Sequence, residues 1–158
     1  MSLGEFNQEG FKSGFIALIG RPNVGKSTFI NEFVGEKIAI TSPIAQTTRN
    51  RLKVILTKQK SQIIFVDTPG IHKPNHLLGE RLVQSAKRSI GEVDGVLIIF
   101  DASHSPGRGE AFILNLIRNL KIPVIVALNK WDLLDLSQFK ERKKEYLDFC
   151  DGTNWPVF

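Results

Sequence analysis

The sequence predicts an α/β fold: a layered sandwich on a mostly parallel sheet with one antiparallel edge strand. Three observations lead there. Apolar runs of strand length alternate with segments whose apolar residues recur at helical spacing. The four polar residues Lys58-Gln59-Lys60-Ser61 separate two of the runs, too few for a crossover, so that pair forms a hairpin. Polar motifs stand at the ends of three runs, where open α/β sheets bind their ligands.

The first run is Phe15-Ile16-Ala17-Leu18-Ile19. It leads into Gly20-Arg21-Pro22-Asn23-Val24-Gly25-Lys26-Ser27, which fits G-x-x-x-x-G-K-[ST]. Thr28 to Val34 continues as a helix, with Gly35 as its stop. A loop between a buried strand and a helix N-terminus offers unpaired N–H groups and a favourable dipole to an anion. Its glycines let the backbone approach phosphate oxygens. Gly20, Asn23, Val24, Gly25, Lys26, Ser27 and Thr28 are therefore the candidate phosphate-binding residues. Lys26 would reach the β- and γ-phosphates, and the Ser27 hydroxyl would ligate Mg²⁺.

Residues 36–49 are polar apart from Ile38-Ala39-Ile40 and read as a long functional loop. Arg51 to Thr57 partly alternates, as a strand with one covered face does. Gln62 to Val66, apolar after its first residue, reads as a central strand. It runs into Asp67-Thr68-Pro69-Gly70, which fits D-x-x-G. Asp67 there can hold Mg²⁺ through water, and the Gly70 N–H can meet the γ-phosphate. Taken alone, the same four residues make a good β-turn.

Leu77 to Ile90 reads as a helix, Gly95 to Phe100 as a buried strand ending at Asp101, and Glu110 to Leu120 as an amphipathic helix. Pro123 to Leu128 is the next buried strand. It ends at Asn129-Lys130-Trp131-Asp132, which fits N-K-x-D. The Asp132 carboxylate can accept from both guanine N1–H and its exocyclic amine, a pair that adenine does not offer, and buried polar groups left unpaired cost about 1–3 kcal/mol each. Asn129 would brace the neighbouring loops, the Lys130 stem could cover the base, and Trp131 reads as loop packing. Ser137 to Cys150 is the last helix, with Ser137 as its N-cap. Its run Lys140 to Glu145 reads as a solvated face rather than a nucleic-acid patch. Trp155 to Phe158 looks like the start of another strand.

At 158 residues the chain reads as one domain, able to bury roughly two-thirds of its unfolded surface. Its longest apolar runs, Val96 to Phe100 among them, are far too short to span a bilayer, and Met1 to Gly14 has no signal-peptide core. The single cysteine, Cys150, excludes an internal disulfide framework, fits a reducing compartment and reads as a core residue. A net charge of +5 is compatible with RNA or anionic surfaces but equally with an ordinary soluble domain.

Together the three motifs resemble the first, third and fourth nucleotide-binding boxes of the translation-factor-related GTPases. More closely, Phe11-Lys12-Ser13-Gly14-Phe15, the phosphate loop through Thr28, Gln46-Thr47-Thr48-Arg49-Asn50-Arg51 and Asp67-Thr68-Pro69-Gly70-Ile71-His72-Lys73-Pro74 resemble the bacterial Era family. The resemblance implies a P-loop NTPase fold of the small G-protein kind over 15–158, preceded by an N-terminal extension over 1–14. It implies a cytoplasmic GTPase, peripheral at the inner membrane at most, that binds GTP and GDP with Mg²⁺. Its implied role is in small ribosomal subunit maturation, through 16S ribosomal RNA. It makes 36–49 and 70–77 the nucleotide-sensing switches. It gives Thr48, with Thr47 second, the task of completing the Mg²⁺ shell, and likens Asn23 to an asparagine that holds K⁺ in related enzymes.

The chain departs from the family at its end. The fifth box, which supports the base, and the RNA-binding KH domain do not appear, so the domain is expected to stop before its last helix and direct RNA binding by this chain is not expected. Ile71 replaces the water-orienting glutamine of Ras-like enzymes, as it does across the family, so water is placed by backbone, a cation or a partner. His72 and His76 are not assigned as bases, since phosphoryl transfer depends more on positioning and charge than on a strong base. Arg21 and Arg49 could stabilise charge, but nothing in the sequence selects either. The leading expectation is a GTP-hydrolysing switch with Lys26, Thr48 and Gly70 at the reacting phosphate. The alternative is a nucleotide-binding docking module with negligible hydrolysis; an ATPase is opposed by Asp132.

Overall fold

The computed structural model describes residues 10–34, 53–67, 84, 87, 88 and 90–158. Five strands form one sheet: β1 Lys12–Ile19, β2 Lys53–Lys58, β3 Ser61–Asp67, β4 Gly95–Asp101 and β5 Val124–Asn129. Their order is β2-β3-β1-β4-β5. The β1–β3, β1–β4 and β4–β5 pairings are parallel, and only β2 against β3 is antiparallel. The hairpin, the antiparallel edge and the interior position of β3 are as expected. Strand β1 starts earlier than its apolar run, because Lys12 and Ser13 pair with Ser61 and Gln62 while staying exposed at the sheet end.

Helix α1 Lys26–Val34 leaves the phosphate loop. Helices α2 Arg108–Ile117 and α3 Phe139–Phe149 follow β4 and β5. Of the expected helix Leu77–Ile90, residues Gln84, Lys87, Arg88 and Ile90 are described and helical. Alternation along the strands divides the core into two layers. On one face Ala17, Ile19, Val96, Ile98 and Phe100 pack with Ile113, Leu114 and Ile117 of α2 and Tyr146 of α3. On the other, Leu18, Phe65, Val54 and Ile99 pack with Val24 of the phosphate loop and Ile30 of α1. Helices on both faces hold the carboxyl ends of β1, β4 and β5 level, and the motifs sit there.

Two helices have other bounds than the sequence reading gives them. Helix α2 runs from Arg108 to Ile117 instead of from Glu110 to Leu120, and Leu114 is buried beside the expected Ile113 and Ile117. Ser137 does not cap α3. A turn closed by Gln138 N–H donating to the Asp135 carbonyl at 2.9 Å, with Asp135 N–H donating back to the Gln138 side chain, delays the helix to Phe139. Cys150 is buried in the core, as expected, and burial pushes its thiol up. Beyond β5, Val157 forms a parallel bridge with Val126, so the expected terminal strand begins there.

Candidate nucleotide site

The phosphate loop is built by close backbone approach. A methyl group on Gly20 would lie 2.6 Å from the Ile99 carbonyl oxygen and 2.8 Å from Val24 Cγ2, so only glycine lets β1 pass β4 into the turn. Asn23 and Gly25 take positive φ values of 63° and 102°. Asparagine tolerates that region, and Gly25 pays no Cβ penalty there. The chain then turns into α1, with Phe29 N–H donating to the Gly25 carbonyl at 2.8 Å. Ser27 and Thr28 stand exposed at the helix start, as a phosphate and metal site requires.

Lys26 is 92% buried, with 8% of its surface exposed. Its ammonium donates to the carbonyls of Gly20 at 3.1 Å and Arg21 at 2.9 Å, so the cation is held inside the loop rather than in bulk water. Arg21 points the other way. Its guanidinium donates to Glu110 Oε1 at 3.0 Å, and it packs so closely on Gly109 that a side chain there would strike it. Glu110 is buried on the first turn of α2, and its second oxygen accepts from Gly107 N–H at 3.0 Å. The structure thus gives Arg21 a clamp on α2.

The base-recognition motif joins this loop directly. Asn129 Nδ2 donates to the Val24 carbonyl at 2.9 Å, the bracing role expected for it. Lys130 follows in the left-handed region, φ 64° and ψ 33°, which costs a long side chain roughly 1–3 kcal/mol. It opens a 3₁₀ turn over Trp131–Leu133, with Leu133 N–H donating to the Lys130 carbonyl at 3.1 Å. The turn leaves Asp132 exposed. Trp131 stacks on Phe139 with ring centroids 5.1 Å apart and planes 14° apart, so it packs the loop as expected.

Lys130 is more constrained than the sequence suggested. Its ammonium lies 2.6 Å from Asp101 Oδ2, and Asp101 Oδ1 accepts from the Ser103 amide and hydroxyl. Burial alone would raise the Asp101 carboxyl, but Lys130 and Ser103 outweigh it and hold its pKa below the usual range. Asp101, Glu110 and Tyr146 were not singled out from sequence. The signal for Asp101 was its place at the carboxyl end of a buried strand; for Glu110 it was the three-residue spacing from Gly107.

Asp67 ends β3 close to the loop: it pairs with Leu18, two residues before Gly20. Its side chain, Thr48, Gly70, Ile71, His72 and His76 lie outside the described residues. Of the expected site, the structure therefore joins Gly20, Asn23, Val24, Gly25, Lys26, Ser27 and Thr28 with Asn129, Lys130 and Asp132.

The sequence family described as 50S ribosome-binding GTPase matches residues 15–130, from within β1 to the first two residues of the base motif. The chain belongs to that family. Among curated relatives, GTPase Era of Rippkaea orientalis is 54% identical over 149 residues, covering 94% of the chain and 47% of the relative. A crystal structure of Era with MgGDPNP and nucleotides 1506–1542 of 16S ribosomal RNA superposes with a TM-score of 0.76 at 36% identity. It covers 93% of this chain and 50% of that one. An Aquifex aeolicus Era variant bound to GDP and aluminium fluoride gives 0.73 at 38% identity, covering the same shares. The chain spans about half the length of the relatives it matches.

Proposed function

We propose that this GTPase chain binds GTP with Mg²⁺, hydrolyses it to GDP and phosphate, and serves as the nucleotide switch of a protein acting on the small ribosomal subunit. The observation that carries the nucleotide reading is the bond from Asn129 to the Val24 carbonyl. It makes the phosphate loop and the guanine motif one continuous site. The ribosomal reading is supported by the likeness to Era, one relative of which was crystallised with 16S ribosomal RNA. On the same likeness we place the protein in the cytoplasm, with peripheral attachment to the inner membrane as a further proposal. Among the described residues no helix is long and apolar enough to cross a membrane.

The residues fit Mg²⁺. Ser27 offers a hydroxyl at the helix start, and Asp67 ends the adjacent strand. Magnesium keeps several waters and takes one or two protein ligands plus phosphate oxygens, so this sparse donor set suits it. When bound, Mg²⁺ would neutralise charge on the β- and γ-phosphates. The chain's own part is electrostatic. Backbone N–H groups of the loop and α1 face the phosphates, and Lys26, already desolvated, exchanges two carbonyl contacts for phosphate oxygens. Asp132 selects guanine. We assign Thr48 to the metal shell and the Gly70 N–H to the γ-phosphate by their place in the family pattern, and K⁺ to the neighbourhood of Asn23. Ordering of 36–49 and 70–77 by the γ-phosphate would make the switch.

The second reading, a docking module with negligible turnover, is favoured by two observations. Ile71 offers no side chain to orient water, and Arg21 is held on Glu110 instead of free to stabilise charge. Phosphate release from GTP and ATP, each with Mg²⁺ and with or without K⁺, separates the readings. The switch predicts release from GTP alone; binding of GTP without release under every salt supports the module.

A further inference from the structure

We infer that Asp101 is a positioning residue of the guanine pocket, fixing the Lys130 side chain across the strand ends as a preformed floor for the base. This rests on the guanine reading above. Asp101 and Asn129 are register partners at the carboxyl ends of β4 and β5. Lys130, one residue further, reaches back over that gap to put its ammonium 2.6 Å from Asp101 Oδ2. Neighbouring strands lie about 4.8 Å apart, so the four-carbon stem must cross from one strand end to the other. A stem held at both ends presents CH₂ groups as a surface, while its charge is spent on the carboxylate.

Three features keep Asp101 itself from moving. Its second oxygen is taken by the Ser103 amide and hydroxyl. Its carbonyl accepts from the buried Tyr146 hydroxyl at 2.9 Å, which also reaches the His104 carbonyl. The next carbonyl, of Ala102, accepts from Arg142 at 2.9 Å, and Ala102 N–H donates to the Asn129 carbonyl. Helix α3 thus fixes the turn, and the turn fixes the lysine. The ion pair is largely covered, with 29% of the Lys130 and 19% of the Asp101 side chain exposed. A free lysine would have to lose its rotamers when the base arrives; this one has lost them already, which is preorganisation.

The test is a double-mutant cycle on GDP binding with D101N, K130M and the double variant. D101N keeps the shape and loses the anion, and K130M keeps the stem and loses the cation. Each single variant should release GDP about tenfold faster with association little changed, because well-formed contacts act mainly on dissociation. The double variant should release GDP no faster than either single one, since both remove the same link. A merely structural role would not give that coincidence. Wild-type dissociation in D101N, or losses that multiply to roughly 100-fold in the double variant, overturns the inference. Should D101N lose its fold, K130M decides alone: dissociation at the wild-type rate overturns the inference. D132N in parallel tests the reading beneath it. No shift from GDP toward XDP overturns that reading and the inference with it, whereas a clear shift beside an unaltered D101N overturns the inference only.

Discussion

Replacing Gly25 with alanine strikes the joint between the phosphate loop and the base motif. The backbone there has φ 102°, and an added Cβ would overlap the Asn129 Nδ2 atom. Two costs follow. Holding a residue with a Cβ in that region costs roughly 1–3 kcal/mol. Relieving the overlap pushes the Asn129 amide off the Val24 carbonyl, and a lost hydrogen bond of this kind is worth about 1 kcal/mol. The sum is about 2–4 kcal/mol, which in a domain of this size lowers the unfolding midpoint by roughly 6–12 °C at its middle value. The assay is thermal unfolding without nucleotide, beside calorimetric titration of GDP. Asn129→Ala already lacks the bond and the overlap, so in that background Gly25→Ala should cost only the backbone strain. A Gly25→Ala chain with the parental midpoint and GDP affinity would refute the reasoning.

Other perturbations separate the parts of the site. Lys26 donates to the Gly20 and Arg21 carbonyls, and Lys26→Ala should weaken GTP binding by tenfold or more with little change in the unfolding midpoint; unchanged GTP affinity would remove the phosphate assignment. Glu110→Gln should loosen Arg21 and the first turn of α2, lowering stability by about 1–3 kcal/mol in a denaturant titration, because one of its buried acceptors becomes a donor. Tyr146→Phe should cost about 1–2 kcal/mol by leaving the Asp101 and His104 carbonyls short of a donor. Burial raises the Tyr146 phenol far above its ordinary value. The unfolded chain therefore ionises first: that stabilisation is complete below about pH 10 and is lost as pH rises further. The alkaline loss of stability should be smaller in Tyr146→Phe, and identical pH profiles would count against it.

The strands were legible because each buried run is apolar and bounded by polar turns. The hairpin was legible because four residues cannot make a crossover. The phosphate loop was legible because its residue types are dictated by backbone approach, as Gly20 and Gly25 show, whereas the reading of Asp132 rests on the donor and acceptor pattern of guanine. What the sequence concealed depends on pairing across the fold. Glu110 reads as one more surface charge until α2 places it against Arg21. Asp101 reads as a strand end until Lys130 reaches it. Lys130 itself carries no local hint of a left-handed backbone, which tertiary contacts impose. The start of α3 was misread because the Asp135–Gln138 turn competes with a Ser137 cap, and the two are equally plausible from residue type alone.

The central claim is that the phosphate loop and Asn129-Lys130-Trp131-Asp132 form one guanine-nucleotide site. The affinities of GDP, ADP and XDP for the wild-type chain and for Asp132→Asn, at fixed Mg²⁺ and salt, test it most directly. Guanine offers two donors to the Asp132 carboxylate, whereas xanthine carries a carbonyl that an asparagine amide can meet. The account predicts GDP far ahead of ADP and XDP for the wild type, and XDP overtaking GDP for the variant. An unchanged order of the three nucleotides after the substitution would contradict it.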